Sequence, residues 1–452
     1  MAILGKNLDA SDKAFVPSAY KLQSITLTNY KGVEREIKNI GVKLTIQESI
    51  YTNSLYMRLT VKDSTNFLEQ FPVIGQEKVR IIINYRKRNG KLKELDLEFY
   101  VTEYPAFATD PSQEYIQIYT LVGISEQSYI SKQKKISRKI SNNPSVLIKK
   151  ILFEELGLSR DQNNKKKYKK FRESEGQYSS NSSIQGIINT QSPMSAIEWL
   201  RKITKDNGKS PFFFFQTLDG KYRLYSYASM IDDSVNAVYD TYYDFRTYTN
   251  QPYTEGDYRQ RATRILSVES NLKLNKTEQS INGAFASRNF TLDYATKTFK
   301  SERYNYFKDF AGRETLEQYP ILSKDFLVLN GSLDTFNDSH QEYISTNSKA
   351  YSLNNNYNYE VEKSRPIFNA HHALFDTMSH DIKLHGDFKL NAGRKISLFF
   401  PKAIDPTLNK GELKNEFLSG KYIVTSAIHE FEDDEYFVNV RVKRDSFSKE
   451  IK

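Results

Sequence analysis

The chain has 452 residues, and 65 Lys and Arg against 55 Asp and Glu give it a formal net charge of +10. At roughly 100–200 residues per domain, this length predicts two to four domains, each with its own core. The absence of cysteine excludes disulfides, a thiolate nucleophile and cysteine-ligated metal sites. No apolar stretch approaches the roughly 18–20 residues of a membrane-spanning helix, and the polar N-terminus is unlike a secretory signal. We therefore expect a protein that is assembled in the cytoplasm.

Residues 1–18 lack periodicity and are predicted to form an N-terminal arm. The following segment alternates apolar and polar residues with the period of half-buried strands. Its clearest strands are 55–61, 79–85, 95–101 and 114–122. The last of these is apolar on both faces, so we expect it to be covered on both sides. With a typical hairpin turn at Asn89-Gly90, the segment 19–130 predicts an antiparallel β-barrel or sandwich.

The period then changes to that of helices. Asn143 is predicted to cap a helix that begins at Pro144 and ends before Gly157. The apolar stripe of this helix consists of Val146, Leu147, Ile151, Leu152 and Leu156. Ser192 and Pro193 have the corresponding roles in a second helix, which we expect to end before Gly208.

A hairpin is predicted directly after the second helix, with strands at 211–216 and 222–227. Its four phenylalanines, 212–215, are expected to be buried on both faces, and Trp199 of the preceding helix is expected to pack in the core. The segment 161–183 is rich in lysine and serine and is predicted to be an exposed loop. Together these elements predict a small α+β domain over residues 131–255.

Alternation returns near the C-terminus, with strands predicted at 396–400, 422–428 and 436–442. We assign 256–300 and 376–447 to a second β-domain. The intervening segment 301–375, rich in Asn, Ser and Tyr, is predicted to be an insertion, and 448–452 a short tail.

Two regions of the sequence share an order of features. In the first, Gly75 precedes strand 79–85, which is followed by Phe99-Tyr-Val-Thr-Glu103 and a strand from Glu114. In the second, Gly393 precedes strand 396–400, which is followed by Tyr422-Ile-Val-Thr-Ser426 and a strand from Glu435. The repeat is too long for a solenoid and favours two copies of one β-domain. The predicted fold class is therefore mainly β with an α+β insert: two similar antiparallel β-barrels, a small helix-hairpin domain and an insertion.

Several segments resemble, in the same order, the central baseplate hub proteins of contractile-tailed phages of the T-even type. The segments are 114–127, 134–138, the helix 144–156, 282–287 with Asp293, 390–393 and 422–431. The resemblance covers most of 20–300 and 380–447. It departs from the family pattern at 161–183 and 300–375.

The resemblance implies a structural protein of the virion, located in the tail baseplate. In that family three chains each supply two similar barrels to a torus, so a threefold ring presents six near-equivalent positions. The resemblance implies that the second β-domain, 256–300 and 376–447, is a second β-barrel. Such a ring joins a sixfold tail tube to a threefold central spike and lets DNA pass during ejection. The implied partners are other copies of the chain, the spike protein, tail tube or tube-initiator proteins, baseplate wedge proteins and the tape measure protein, with DNA only in transit.

Two other functions are compatible with the sequence. The first is the hub part of a type VI secretion spike or a related contractile injection system. Such spike proteins usually carry a β-helical needle on the same chain, so we expect any needle here to be a separate polypeptide. The second is a carbohydrate-binding tail adhesin, which the 31 tyrosines suggest.

A histidine cluster is the one candidate for a metal site. The cluster comprises His371, His372, His380 and His385, with Asp376, Asp381 and Asp387 nearby. Imidazole and carboxylate ligands suit zinc and other transition metals, but the spacing matches no known motif such as HExxH. We therefore interpret these as surface histidines that lead into the last barrel, and predict no metal and no cofactor.

No motif for catalysis is present, because the sequence lacks a Gly-x-Ser-x-Gly elbow and a Gly-rich phosphate loop. We predict no catalytic residues and no enzymatic activity. The basic runs 132–139 and 165–170 could contact nucleic acid, but charged runs are more often solvated surface, which is the interpretation we prefer.

Overall fold

The computed structural model describes most of the chain. The described residues are 18–86, 91–103, 107–110, 113–158, 171–174, 183–204, 206, 210–232, 242–244, 264–273, 275–323, 327–328, 331–332, 340–346, 361–402, 414–432 and 434–450. The predicted N-terminal arm up to residue 17, the Asn89-Gly90 turn, Gly208 and the lysine run 165–170 lie outside them. None of the described helices is long and apolar enough to cross a bilayer.

Strands dominate the described residues. They are β1 (Tyr20–Thr28), β2 (Glu34–Glu36), β3 (Gly41–Ser49), β4 (Tyr56–Asp63), β5 (Lys78–Arg86), β6 (Leu92–Glu103), β7 (Phe107–Asp110), β8 (Gln113–Ser125), β9 (Ile136–Asn142), β10 (Phe171–Glu173), β11 (Ile184–Gln191), β12 (Phe212–Gln216), β13 (Tyr222–Ser226), β14 (Tyr242–Asp244), β15 (Ile265–Leu272), β16 (Ala286–Asp293), β17 (Thr298–Asn305), β18 (Tyr319–Pro320), β19 (Leu327–Val328), β20 (Gly331–Ser332), β21 (Gln341–Thr346), β22 (Met378–His385), β23 (Lys395–Phe399), β24 (Gly420–Glu432), β25 (Glu435–Arg444) and β26 (Ser446–Phe447).

In chain order, most of the helices lie between β8 and β15 or between β15 and β22. They are α1 (Phe67–Gln70), α2 (Glu126–Lys132), α3 (Pro144–Lys150), α4 (Pro193–Ile203), α5 (Tyr227–Ile231), α6 (Lys276–Ile281), α7 (Tyr306–Phe310) and α8 (Val361–Phe375). A 3₁₀ turn covers Lys38–Ile40, and α3 continues as a π-helical turn over Ile151–Glu155.

The two barrels repeat one strand order, which confirms the predicted internal repeat. Neighbouring strands follow the order β3, β4, β8, β6, β5 in the first barrel and β15, β22, β25, β24, β23 in the second. All these pairs are antiparallel. Gly75 and Gly393 have φ of 88° and 78° ahead of the matched strands β5 and β23, a conformation that favours glycine.

The two barrels also share the positions at which the register of strand pairing shifts. The β3–β4 register shifts after Gly41 and the β15–β22 register shifts after Ile265. The β6–β8 and β24–β25 registers shift at Thr102 and Thr425, the threonines of the two Val-Thr motifs. Thr102 Oγ1 donates to the carbonyl of Val122 at 3.3 Å, and Thr425 Oγ1 donates to that of Arg441 at 3.0 Å. The motif therefore marks a β-bulge whose hydroxyl binds the opposite strand.

Burial on the barrel strands follows the predicted alternation with one exception. Leu55, Met57, Leu59 and Val61 are fully buried. On β8, Tyr119 and Leu121 are buried, whereas Ile118 and Val122 on the other face remain partly exposed. The expectation that β8 is covered on both sides is wrong for the single chain.

The helix-hairpin region matches its sequence signals closely. Asn143 and Ser192 cap α3 and α4, each accepting a hydrogen bond from a backbone N–H of the first turn. The hairpin strands β12 and β13 pair in register, and Phe212 and Phe214 pack in one core while Phe213 and Phe215 pack in another. The strand is thus buried on both faces, as predicted. Trp199 packs against the first of these cores.

The helix α4 ends at Ile203, before Gly208 as predicted. Two local predictions in this region need correction, and the strand β9 was not predicted. Val146 is 46% exposed and lies off the buried stripe of α3, where Ile148 takes a core position instead. Residues 171–173 of the predicted exposed loop form β10, which pairs in parallel with β13. The basic segment after α2 forms β9, which pairs with β11, because its alternating isoleucines supply an apolar face to the α3–α4 core.

The described part of the region between β15 and β22 contains elements that the sequence did not predict. Strand β16, which we assigned to the second barrel, lies in a separate sheet between β17 and β21. Of the described residues in 256–300, therefore, only those of β15 join the sheet of the barrels. The helix α8 was not predicted, since Pro366 and the polar residues around it obscure its periodicity. The predicted domain boundaries otherwise remain predictions.

We expect the matched threonines to differ in their contribution to stability. Thr425 is 1% exposed, so Thr425→Val leaves the Arg441 carbonyl without its buried donor and should cost about 1–2 kcal/mol. Thr102 is exposed, so Thr102→Val should cost less than about 0.5 kcal/mol. Thermal unfolding followed by circular dichroism measures both variants. Equal losses of stability in the two variants would show that the buried hydrogen bond of Thr425 contributes no more than the exposed one of Thr102.

Candidate functional site: the junction between the two barrels

The two barrels are joined edge to edge within one chain. The second half of β24 pairs antiparallel with β3, from Ser426 opposite Ser49 to Glu432 opposite Lys43. An ion pair of 2.7 Å between Lys43 and Glu432 closes the end of this ladder. The pairing makes the strands of both barrels one continuous sheet. We call the β24–β3 pairing the junction.

A buried carboxylate lies at the centre of the junction. Glu48 of β3 is 0% exposed. Its Oε1 accepts a hydrogen bond of 2.7 Å from the backbone N–H of Ala392, ahead of β23, and its Oε2 accepts one from Leu218 in the turn of the β12–β13 hairpin. The Nε2 of His429 on β24 lies 3.5 Å from the same carboxylate. One side chain thus connects the first barrel, the second barrel and the helix-hairpin region.

Apolar packing supports the carboxylate on one side. Ile50, which follows β3, shares a core with Phe213, Phe215 and Ile423. Gly393 lies against this core, since a Cβ added there would come within 2.6 Å of Phe215 Cζ. The close approach of backbone and ring requires glycine, and fixes the loop that presents the N–H of Ala392 to Glu48.

Sequence reasoning missed Glu48, although a signal was present. On β3, Leu44, Ile46 and Glu48 share the buried face. An acidic residue at a buried position of an alternating strand needs hydrogen-bond donors from elsewhere in the fold, so it predicts a tertiary contact without naming the partners.

The repeat also has two open edges. The strand matched to the second half of β24 is β7, and the strand matched to β3 is β15, because both pairs occupy equivalent places in the common strand order. Among the described residues, β7 pairs only with β8 and β15 pairs only with β22. The outer edges of β7 and β15 therefore carry backbone groups that no described strand satisfies. Such edges are templates for pairing with another chain.

The two rims of the barrels differ. The helix-hairpin region leaves the first barrel after Ser125 of β8, and the region 273–377 leaves the second after Leu272 of β15. Both points lie on the same rim, which we call the domain rim. On the opposite, plain rim, two residues connect β7 to β8 and two connect β24 to β25. The β7–β8 and β24–β25 hairpins are thus alike at the plain rim, whereas different regions leave the two barrels at the domain rim.

The histidine cluster is dispersed and partly buried. No group of three or more potential metal ligands is found in the described part of the chain. His371 is 6% and His380 0% exposed, so the interpretation as surface histidines is wrong for both. His380 Nδ1 lies 2.9 Å from the Ser270 hydroxyl and Nε2 3.2 Å from the Tyr422 hydroxyl. This histidine therefore attaches the open-edge strand β15 to β24.

The described basic run 132–139 is partly neutralised within the chain. Lys134 forms an ion pair with Glu155, and Arg138 contacts Glu154 and Glu155 at 3.1 and 3.3 Å. These contacts favour a structural role over contact with nucleic acid.

Comparison with known proteins identifies the fold. No protein-family model and no curated protein matches the sequence. The 43 kDa tail protein of prophage MuSo2 from Shewanella oneidensis is similar over 93% of this chain and 98% of its own, with a TM-score of 0.52 at 12% identity. A tail protein from Neisseria meningitidis MC58 is similar over 94% and 97%, with a TM-score of 0.49 at 8% identity. A component of the type VI secretion system from E. coli is similar over 96% and 78%, with a TM-score of 0.41 at 8% identity.

The similarity to the MuSo2 protein carries the conclusion. The chain has the fold of a prophage tail protein over nearly its whole length, which confirms the predicted fold class and, at the level of fold, the resemblance to tail proteins. At such low identity the comparison establishes the fold alone.

We expect Glu48→Gln to destabilise the chain by about 2–4 kcal/mol. The glutamine amide keeps one oxygen that can accept from one of the two backbone N–H groups, but its NH₂ group faces the other N–H, which loses its acceptor. Hydrogen bonds to a charged acceptor are also stronger than those to a neutral amide, so their loss costs more. The control is Glu432→Gln, which removes a half-exposed ion pair and should cost less than about 1 kcal/mol. Thermal unfolding of both variants measures the difference. Similar midpoints for the two would contradict the central role of Glu48.

We expect stability to fall as the pH drops below about 6.5. Burial, together with the positive charge of Arg444, lowers the pKa of His380 to about 4, and burial also lowers the pKa of His371 well below its usual value. The unfolded chain then binds protons that the folded chain excludes, so the contribution present above pH 6.5 is lost progressively towards pH 4. For His380 the loss is at most about 3 kcal/mol. His380→Asn should flatten the pH dependence of the unfolding midpoint, and an unchanged profile would contradict this assignment.

Proposed function

We propose that this chain is the central hub protein of a contractile tail baseplate, in which three copies form a closed ring of six β-barrels. One observation carries the proposal: the junction inside the chain has a matched pair of open edges, β7 and β15. If β7 of one copy pairs with β15 of the next as β24 pairs with β3, contacts within and between chains become equivalent.

The equivalence also predicts the register between copies. His429 and Glu430 lie opposite Ile46 and Thr45 in the junction. The strand correspondences place Phe107 at the position of His429 and Ala108 at that of Glu430. They likewise place Ser270 and Glu269 at the positions of Ile46 and Thr45. In the ring, Phe107 therefore pairs with Ser270 of the next copy, and Ala108 pairs with Glu269.

The closed ring suits a symmetry adaptor. A head-to-tail contact forms a ring when its rotation closes, and three copies of two barrels give six similar positions. The plain rim, where the β7–β8 and β24–β25 hairpins are alike, supports docking of a sixfold tail tube or its initiator protein. The domain rim, where different regions leave the two barrels, supports docking of a threefold central spike.

The proposed function also accounts for the location and the further partners that the sequence resemblance implies. The ring belongs to the baseplate of a virion tail assembled in the host cytoplasm, where wedge proteins and a tape measure protein are further partners. DNA passes through the ring during ejection without being bound specifically. The work of the protein is mechanical, and we propose no enzymatic activity.

The test is a disulfide placed between copies, which the absence of native cysteine makes unambiguous. Ala108→Cys combined with Glu269→Cys places two thiols opposite each other across the predicted ladder, where the Cβ atoms of paired residues lie about 4.5–5.5 Å apart. We expect oxidation to give covalent dimers and trimers on a non-reducing gel. Light scattering of the reduced protein should give three times the chain mass of 52.6 kDa.

The matched control shifts one thiol along the same strand. Ala108→Cys with Asn271→Cys keeps the second thiol on the same face but two residues out of register, so it should cross-link far less. A monomer at micromolar concentration that also fails to join a tube or spike protein would contradict the proposed ring. Equal cross-linking of both pairs would contradict the register.

A further inference from the structure

The separate sheet on the domain rim has two very different faces. Opposed residues in paired strands point to the same side of a sheet, so the register of β16 with β17 and β21 assigns each residue to a face. The outward face contains Arg288, Phe290, Leu292, Phe299, Ser301, Arg303, Gln341, Tyr343 and Ser345. We call this surface the aromatic face.

In this sheet, polar residues of β16 are buried and aromatic residues of the neighbouring strands are exposed. On the inner face of β16, Ser287, Asn289 and Thr291 are 1%, 1% and 5% exposed. Helix α8 packs on that side, where Arg365 Nη2 lies 2.6 Å from Glu342 Oε1. On the aromatic face, by contrast, Phe299 is 61% and Tyr343 71% exposed. The inner face thus buries the polar residues of β16 together with Tyr304 of β17, whereas the other face exposes its aromatic residues, as a surface that meets a partner does.

The aromatic residues form an ordered row. The ring of Phe290 stacks on that of Phe299 at 5.6 Å between centroids and on that of Tyr343 at 4.8 Å, with interplanar angles of 17° and 18°. The neighbouring rings cover both faces of the central ring, while Phe299 and Tyr343 at the two ends of the row remain largely exposed. An ordered row of exposed rings suits packing against apolar side chains of a protein partner.

Charge restricts the partner further. Arg288 lies directly opposite Arg303, and the aromatic face includes no acidic residue among its nine positions. Both arginines lie at one end of the face, and Leu292 and Phe299 lie at the other end. A surface that combines carboxylates with apolar side chains is complementary to it.

We propose that the aromatic face is the docking surface for the threefold partner on the domain rim, and that this partner presents an acidic and apolar protein surface. The inference rests on the proposed function, because it takes the domain rim as the side that meets the spike. Phe299 and Tyr343 are the anchors of the contact, since buried aromatic residues dominate interface energies. Arg303 supplies the charge that selects an acidic partner.

A single introduced thiol tests the proposal in assembled tails. Tyr343→Cys, labelled with benzophenone maleimide, is incorporated into tails and irradiated, and the cross-linked peptide is identified by mass spectrometry. We expect a cross-link to an acidic segment of a different protein. The matched control is Lys300→Cys, which is also exposed but adjacent to Phe299 on the opposite face of β17, and which should not cross-link to that segment.

Affinity provides a second measurement. Phe299→Ala and Arg303→Glu should each weaken binding of the cross-linked partner, once purified, by at least about tenfold, whereas Arg303→Lys should retain most of the affinity. A cross-link to another copy of this chain, or equal maleimide reactivity of position 343 in free protein and in tails, would overturn the docking surface alone. A chain that enters no tail would overturn the proposed function and this inference with it.

Discussion

The structure depends on the burial of one carboxylate. Glu48 lies fully inside the protein, and a buried charge is tolerated only where hydrogen-bond donors surround it. Its donors come from the hairpin turn at Leu218 and from the loop at Ala392, which lie far from it in sequence. Because removing any one of these contacts leaves a buried polar group unsatisfied, the two barrels and the helix-hairpin region are held in a single arrangement.

That arrangement decides how the repeat is used. The junction between β24 and β3 shows how one barrel docks on another, and the same strand order leaves the outer edges of β7 and β15 unpaired by any described strand. The contact between barrels is made once inside the chain, and the edges for an equivalent second contact are not paired with any described strand. A duplicated domain with these properties is suited to a ring of several chains. The partly exposed face of β8 and the 31 tyrosines and 28 phenylalanines are consistent with large contacts between subunits.

The structure also changes the meaning of features that suggested chemistry. His380 and His429 are packing residues that hydrogen-bond to Tyr422 and Tyr436, and Lys134 and Arg138 of the described basic run form ion pairs with Glu154 and Glu155. The region between β15 and β22, which has weak periodicity, contains the sheet with the most exposed aromatic surface. Features with no sequence motif, such as a buried acid, an unpaired edge and a sheet with an exposed aromatic face, carry the functional inferences.

The sequence by itself determined the local structure and the repeat. Caps such as Asn143 and Ser192, the alternation of β4, and the Val-Thr motifs at Thr102 and Thr425 are properties of adjacent residues, so they can be read directly from the chain. The sequence could not determine that β16 leaves the barrel, that α8 forms around Pro366, or which groups satisfy Glu48. Those outcomes depend on contacts between residues that are distant in the chain, and only the tertiary structure brings such residues together.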